Sequence, residues 1–214
     1  MRLAELSERS GLSTATIKYY LREQLLPPGT LVSAKQAEYG EEHLRRLRLV
    51  RALIQIGRVP VATAREVLTA IHDESLDQNT RLGLAVGSLP PEPQPDEDDQ
   101  ATHAARREAE GLLRTLGWET CDEVPPGPYR TLVAALAMLA RLGYPYDHAH
   151  LAPYARQAAQ LAVHDLDMVQ EYQAPLEQIE AAVALTVLYE PILLSLRRLA
   201  QAHESTRRHG VSPE

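Results

Sequence analysis

Between Arg2 and Pro27 the chain reads RLAELSERSGLSTATIKYYLREQLLP, two short helical patterns with a turn signal between them, and this pairing restricts the fold more than any other stretch. Leu3 and Leu6 mark the apolar side of a first helix. Gly11 supplies the backbone freedom of a tight turn, and Ser13 stands where a hydroxyl caps a second helix. Ile17 and Leu21 seal that second helix against the first, while Thr14, Lys18 and Arg22 recur at the same spacing on another face. Such a face suits the major groove of a duplex: hydroxyls near the helix N-terminus approach base edges, and the cations with the Tyr19-Tyr20 pair engage phosphates.

The charge distribution agrees with a polyanion-binding head. The 214 residues carry a formal charge of −7, but residues 1–72 hold 11 Lys+Arg against 7 Asp+Glu, and the remainder holds 11 against 22. A basic head on an acidic body keeps nucleic acid at one end of the chain. The length suits two small domains. Cys121 is the sole cysteine, so no intrachain disulfide forms and a reducing compartment, the cytoplasm, is expected. No apolar run is read as a membrane span and no N-terminal stretch as a signal peptide, so no membrane is expected among the partners.

Along the chain, Pro27-Pro28-Gly29 is expected to end the second helix. Residues 30–39, TLVSAKQAEY, mix polar and β-forming side chains and allow either a short hairpin or a loop. Leu44, Leu47, Val50, Leu53 and Ile54 have helical spacing up to Gly57, and a further helix is expected from Val61 to Ile71 with Val67, Leu68 and Ile71 inward. Residues 89–99, LPPEPQPDEDD, read as a solvated linker. Beyond it the periodicity predicts helices over about 101–117, 127–142, 147–172 and 176–208. The stretch AAVALTVLYEPILLSLRRLAQ is apolar on nearly every face and must be covered on several sides.

The run SGLSTATIKYYLREQLLPPG, then Tyr39, EEHLRRLRLVRALIQIG and AREVL, resembles the DNA-binding domain of the mercury-resistance-regulator (MerR) family of winged-helix transcription factors. The resemblance covers residues 1 to about 72. Together with the helical periodicity beyond the linker it leads to an all-α fold with a small β wing: a winged helix-turn-helix over 1–73, a connecting segment over 74–100, and a helical bundle over 101–214 expected to serve effector sensing and dimerisation. The final helices resemble, more weakly, the C-terminal dimerisation helices of tetracycline-repressor (TetR) type regulators. Family position marks Ser13, Thr14, Thr16, Lys18, Tyr19, Tyr20 and Arg22 as DNA-facing. In the wing only Tyr39 keeps the family's pattern, so Lys35 or Arg58 replaces the usual arginine contact. Arg45, Arg46 and Arg48 read as a solvated helix face. The prolines of 89–99 interrupt the path by which the family usually pairs, which moves dimerisation to the C-terminal helices.

The resemblance implies a non-enzymatic regulator that binds double-stranded DNA as a homodimer on an inverted repeat, with no cofactor. It leaves room for RNA polymerase at the promoter and for a small organic effector. A protein that sequesters a small molecule, with DNA binding secondary, is the alternative. The lone Cys121 builds no thiolate site, and His148, His150, His164, Asp165 and Asp167 do not share one helical face, so no metal is expected. Pro191 lies inside a helical pattern and costs it about 3 kcal/mol. A kink around a ligand pocket would offset that, with Trp118, Tyr129, Tyr144, Tyr146, Tyr154, Tyr172 and Tyr189 as aromatic walls and Glu190 as an anion for a cationic effector. A packing kink, or two consecutive helices, accounts for the same proline.

Overall fold

The structure, a computed structural model, describes residues 1–33, 36–87, 89, 95–118 and 126–209. Nine α-helices and one two-stranded sheet are defined among them: α1 (Leu3–Ser10), α2 (Thr14–Arg22), β1 (Thr30–Ser33), β2 (Gln36–Glu38), α3 (Glu41–Arg51), α4 (Val61–Ile71), α5 (Gln78–Gly87), α6 (Gln100–Leu116), α7 (Pro126–Leu142), α8 (His148–Gln170) and α9 (Pro175–His209). The fold is helical with a small β wing, as expected. Two compact units emerge, one from Met1–Arg65 with Val183–Glu214, the other from Glu66–Ala182. The first unit thus joins the N-terminal elements to the C-terminal part of α9.

In the first unit α1 packs against α2 and α3. Leu6, Ile17, Leu25, Leu26, Leu44, Leu47, Val50 and Leu53 are fully buried and make its core. Gly11 adopts φ 67° at the end of α1, the left-handed geometry a turn there requires. Ser13 caps α2, its Oγ accepting the Thr16 N–H at 3.0 Å. β1 and β2 pair antiparallel, Thr30 opposite Glu38 and Leu31 opposite Ala37, so the two strands form the wing expected in this part of the chain. Its inner edge is tied to the chain start, because Tyr39 N–H donates to Met1 O and the Met1 amino group donates to Tyr39 O, both at 2.8 Å.

Three elements depart from the sequence reading. The second helix ends at Arg22, well before Pro27, because Gln24 turns left-handed at φ 60° and Leu25 N–H returns to Tyr20 O at 2.9 Å. This is a helix stop that usually takes glycine. The helix starting at Glu41 widens into a π-turn over Ala52–Ile56, with Gly57 N–H reaching Ala52 O at 2.9 Å. The segment expected to be only a connection holds α5.

The second unit is built on a seam of small residues. Ala105 and Ala109 of α6 meet Val133, Leu136 and Ala137 of α7, with Tyr129, Leu132, Leu139, Tyr146 and Leu151 packed around them. Asp99 caps α6, accepting the Thr102 N–H at 3.0 Å, and its carboxylate also accepts from Arg141 Nη2 at 2.7 Å, which ties the start of α6 to the end of α7. The four predicted C-terminal helices are all present within a residue or two of their expected bounds.

α9 runs unbroken for 35 residues through Pro191, so the reading of two consecutive helices is excluded. Contrary to the expectation of no membrane-length apolar run, α9 is long and apolar enough by length and composition to cross a membrane. Val187 of α9 sits on the backbone of Gly57. A Cβ at Gly57 would lie 2.3 Å from Val187 Cγ1 and 2.9 Å from Leu53 O. Only glycine admits the helix this close. We therefore expect Gly57→Ala to lower stability by about 1–3 kcal/mol. Adding Val187→Ala should recover part of the loss, a non-additivity of about 1 kcal/mol visible in denaturant titrations of the four proteins of the cycle.

Candidate nucleic-acid interface

α2 divides cleanly into two faces. Ile17 is fully buried and Tyr20 is 4% exposed, whereas Thr14, Lys18, Tyr19 and Arg22 face outward and Thr16 is half-buried. The Arg22 guanidinium lies over the Tyr19 ring, 5.2 Å from its centroid. That stacking orients a long side chain which would otherwise sample many rotamers. Ser13 and Thr16 hydroxyls lie 2.8 Å apart at the helix start, so a hydroxyl presented to a base edge there is held from behind.

Of the residues marked as DNA-facing, Ser13, Thr14, Lys18, Tyr19, Arg22 and Arg58 lie at the surface. Tyr20 and Tyr39 do not. Tyr20 follows Ile17 by three positions and shares its inward face, where burial pushes its hydroxyl pKa up. Tyr39 is 8% exposed, its ring edge-on to His43 at 5.2 Å under the wing. Lys35 lies outside the described residues. Of the wing strands, Leu31 and Val32 present exposed apolar side chains, and Arg58, just beyond Gly57, adopts φ 54°.

Two arginines missed by the sequence reading support the interface. Arg46 of α3 donates from Nε to Leu25 O at 2.7 Å, and Arg65 of α4 donates from Nε to Glu23 O at 2.8 Å, with Nη2 3.2 Å from the Glu23 carboxylate. Their acceptors flank Gln24, the left-handed residue. The strained exit of the recognition helix is therefore gripped on both sides by cations set on two other helices. Arg46 had read as part of a solvated face; a helix position on the polar side gives no signal of which carbonyl it will reach. Arg9 and Glu41 form a two-point bridge between α1 and α3 at 2.5 and 3.0 Å, and the Arg9 guanidinium holds the Glu41 carboxyl below its ordinary pKa.

The residues considered for an effector are spread over the chain: Trp118 after α6, Tyr144 after α7, Tyr154 on α8, Tyr172 after α8, and Tyr189 with Glu190 on α9, all exposed. Tyr129 and Tyr146 instead pack against the alanine seam. Cys121 lies outside the described residues. Among the described residues no group of three or more His, Cys, Asp or Glu is placed to hold a metal ion.

A capped helix-turn-helix with a polar, cationic outer face and an adjoining hairpin defines the class: a winged-helix DNA-binding protein. Residues 1–71 match the model of the MerR HTH family regulatory proteins. A crystal structure of SCO5550 from Streptomyces coelicolor A3(2), described as a transcriptional regulator, is similar over 100% of both chains, with 52% identity and a TM-score of 0.82. The HTH-type transcriptional regulator ZntR homolog of Haemophilus influenzae is 36% identical over 50 residues, and the match spans 23% of this chain and 37% of that protein. The chain carries a MerR-family helix-turn-helix domain at its N-terminus, that of a DNA-binding transcriptional regulator and not of an enzyme.

The grip on Gln24 generates a test. Arg46→Ala and Arg65→Ala should each weaken DNA binding by about tenfold through loss of a charge-assisted bond worth about 1.5–3 kcal/mol. The slope of affinity against salt should stay as in the parent, because these guanidiniums hold carbonyls and not phosphates. A flattened slope would place them on the DNA.

Proposed function

We propose that the chain acts as a homodimer on an inverted-repeat promoter site, reading bases with Thr14 and Thr16 and positioning itself on phosphates with Lys18, Arg22, Lys35 and Arg58. The observation that carries this is the two-faced α2, whose buried side is packed and whose exposed side aligns Thr14, Lys18 and Arg22. Lysine at position 18 is a point charge without arginine's fork, which suits a phosphate better than guanine. Ser13, Tyr19 and Arg22 complete the contact at the helix ends. The dimer works in the cytoplasm, where the chromosome lies, and bends promoter DNA so that RNA polymerase meets a changed geometry. For an organic effector, the exposed rings Trp118, Tyr144, Tyr154 and Tyr172 offer stacking faces, and the fluorescence of the one tryptophan reports occupancy.

Salt dependence tests the assignment of cations. Four phosphate contacts per head, eight per dimer, give a log-log slope of about 7 in magnitude, and binding that ignores salt would refute the DNA-facing set. Base reading and backbone positioning separate by mutation. Thr14→Ala should alter which base pairs are preferred in a randomised-site selection, whereas Lys18→Ala should lower affinity for all sites nearly alike.

A further inference from the structure

Among the described residues the left-handed backbone positions divide by residue type. Gly11, Gly117 and Gly143 occupy three of them at φ 67°, 70° and 71°, and each closes a helix with the residue that meets no steric penalty there. The others are Gln24 at φ 60° and Arg58 at φ 54°, where a Cβ crowds the backbone. Both lie in the winged head and both are exposed. Arg58 is already among the cations assigned to phosphates above. Gln24 has no such assignment, yet it too sets a long polar side chain where glycine is the easier occupant.

Gln24 is forced into this conformation from outside. The carbonyls on either side of it, Glu23 O and Leu25 O, accept from Arg65 Nε at 2.8 Å and Arg46 Nε at 2.7 Å. Leu25 N–H returns to Tyr20 O at 2.9 Å, and Leu25 and Leu26 are fully buried. The neighbouring backbone is thus committed to the interior, while the Gln24 side chain stays exposed and makes no hydrogen bond with any described residue. It follows by two positions Arg22, which stacks on Tyr19 on the outward face of α2. Nor is the uncharged amide drawn into an ion pair with Glu23, whose carboxylate already has Arg65 Nη2 at 3.2 Å and Arg22 Nε at 3.5 Å. A helix stop alone is better served by glycine. A side chain kept at this strained position therefore points to use by something outside the fold.

We propose that the Gln24 carboxamide donates a hydrogen bond to a DNA phosphate beside those met by Lys18 and Arg22. This rests on the DNA-facing reading of α2 and extends it past the end of the helix. The amide NH2 offers two donors, so it binds a phosphate oxygen without displacing a counterion, and it adds affinity without steepening the salt dependence. Because Arg46 and Arg65 hold the backbone on both sides, little freedom is lost when the contact forms.

The test uses the full chain and a duplex that it selects from a randomised pool. Gln24→Gly should raise Tm by about 2–4 °C as the strain is relieved. It should at the same time weaken binding to that duplex by about tenfold, with the slope of affinity against salt unchanged. Uncharged methylphosphonate linkages, placed one at a time along the duplex, locate the acceptor: at one of them binding of the parent protein should fall by about tenfold and that of Gln24→Gly hardly at all. Equal affinity of the two proteins would overturn the proposal. So would a loss of stability in parallel with the loss of affinity, which would make the side chain part of the fold. A changed base preference with no responsive linkage would put the amide on a base edge and overturn it as well. Lys18→Ala separates the contact from the reading beneath it. If that variant weakens binding while Gln24→Gly does not, only the Gln24 contact fails; if neither does, α2 does not face the duplex and both fail.

Discussion

Ile17 and Tyr20 commit one side of α2 to the core, and the polar outer face depends on that commitment. A helix of nine residues has too little intrinsic stability to stand alone; packing of its apolar side is what keeps it formed and oriented. Ser13 caps its start and Arg46 and Arg65 grip the carbonyls after its end, so both termini are held in place. Thr14, Lys18 and Arg22 are thereby presented on a rigid support, the condition for reading base edges rather than only attracting a polyanion.

The second support is the close approach of Val187 to Gly57. It links the C-terminal helix to the end of the π-turn, and Arg58, a residue considered for phosphate contact, follows immediately with a left-handed backbone. A helix that also carries an exposed apolar seam is thus joined directly to the DNA-binding head.

Much of this was legible from residue order. The Gly11 turn, the Ser13 cap, the inward Ile17, and the C-terminal helices α6 to α9 follow from local signals that act within one or two turns. Tyr20 shows where family position misleads: it placed the ring outward, while the three-residue step from Ile17 puts it inward, where the structure buries it. The end of α2 was read from Pro27, yet Gln24 ended it earlier, because arginines distant in sequence stabilise a left-handed residue that local propensity disfavours. α5 escaped because its ten residues contain two glycines and lie beside a proline-rich stretch.

The sequence by itself determined the helical class, the helix-turn-helix with its outward hydroxyls and cations, and the charge contrast between head and body, since each depends on periodicity, capping and composition alone. Only the tertiary structure decided that Arg46 and Arg65 serve the recognition helix, that Tyr39 belongs to the interior, and that α9 docks on Gly57 and then emerges uncovered. These depend on which distant backbone or side chain arrives within a few ångströms, and neither spacing nor composition carries that distance.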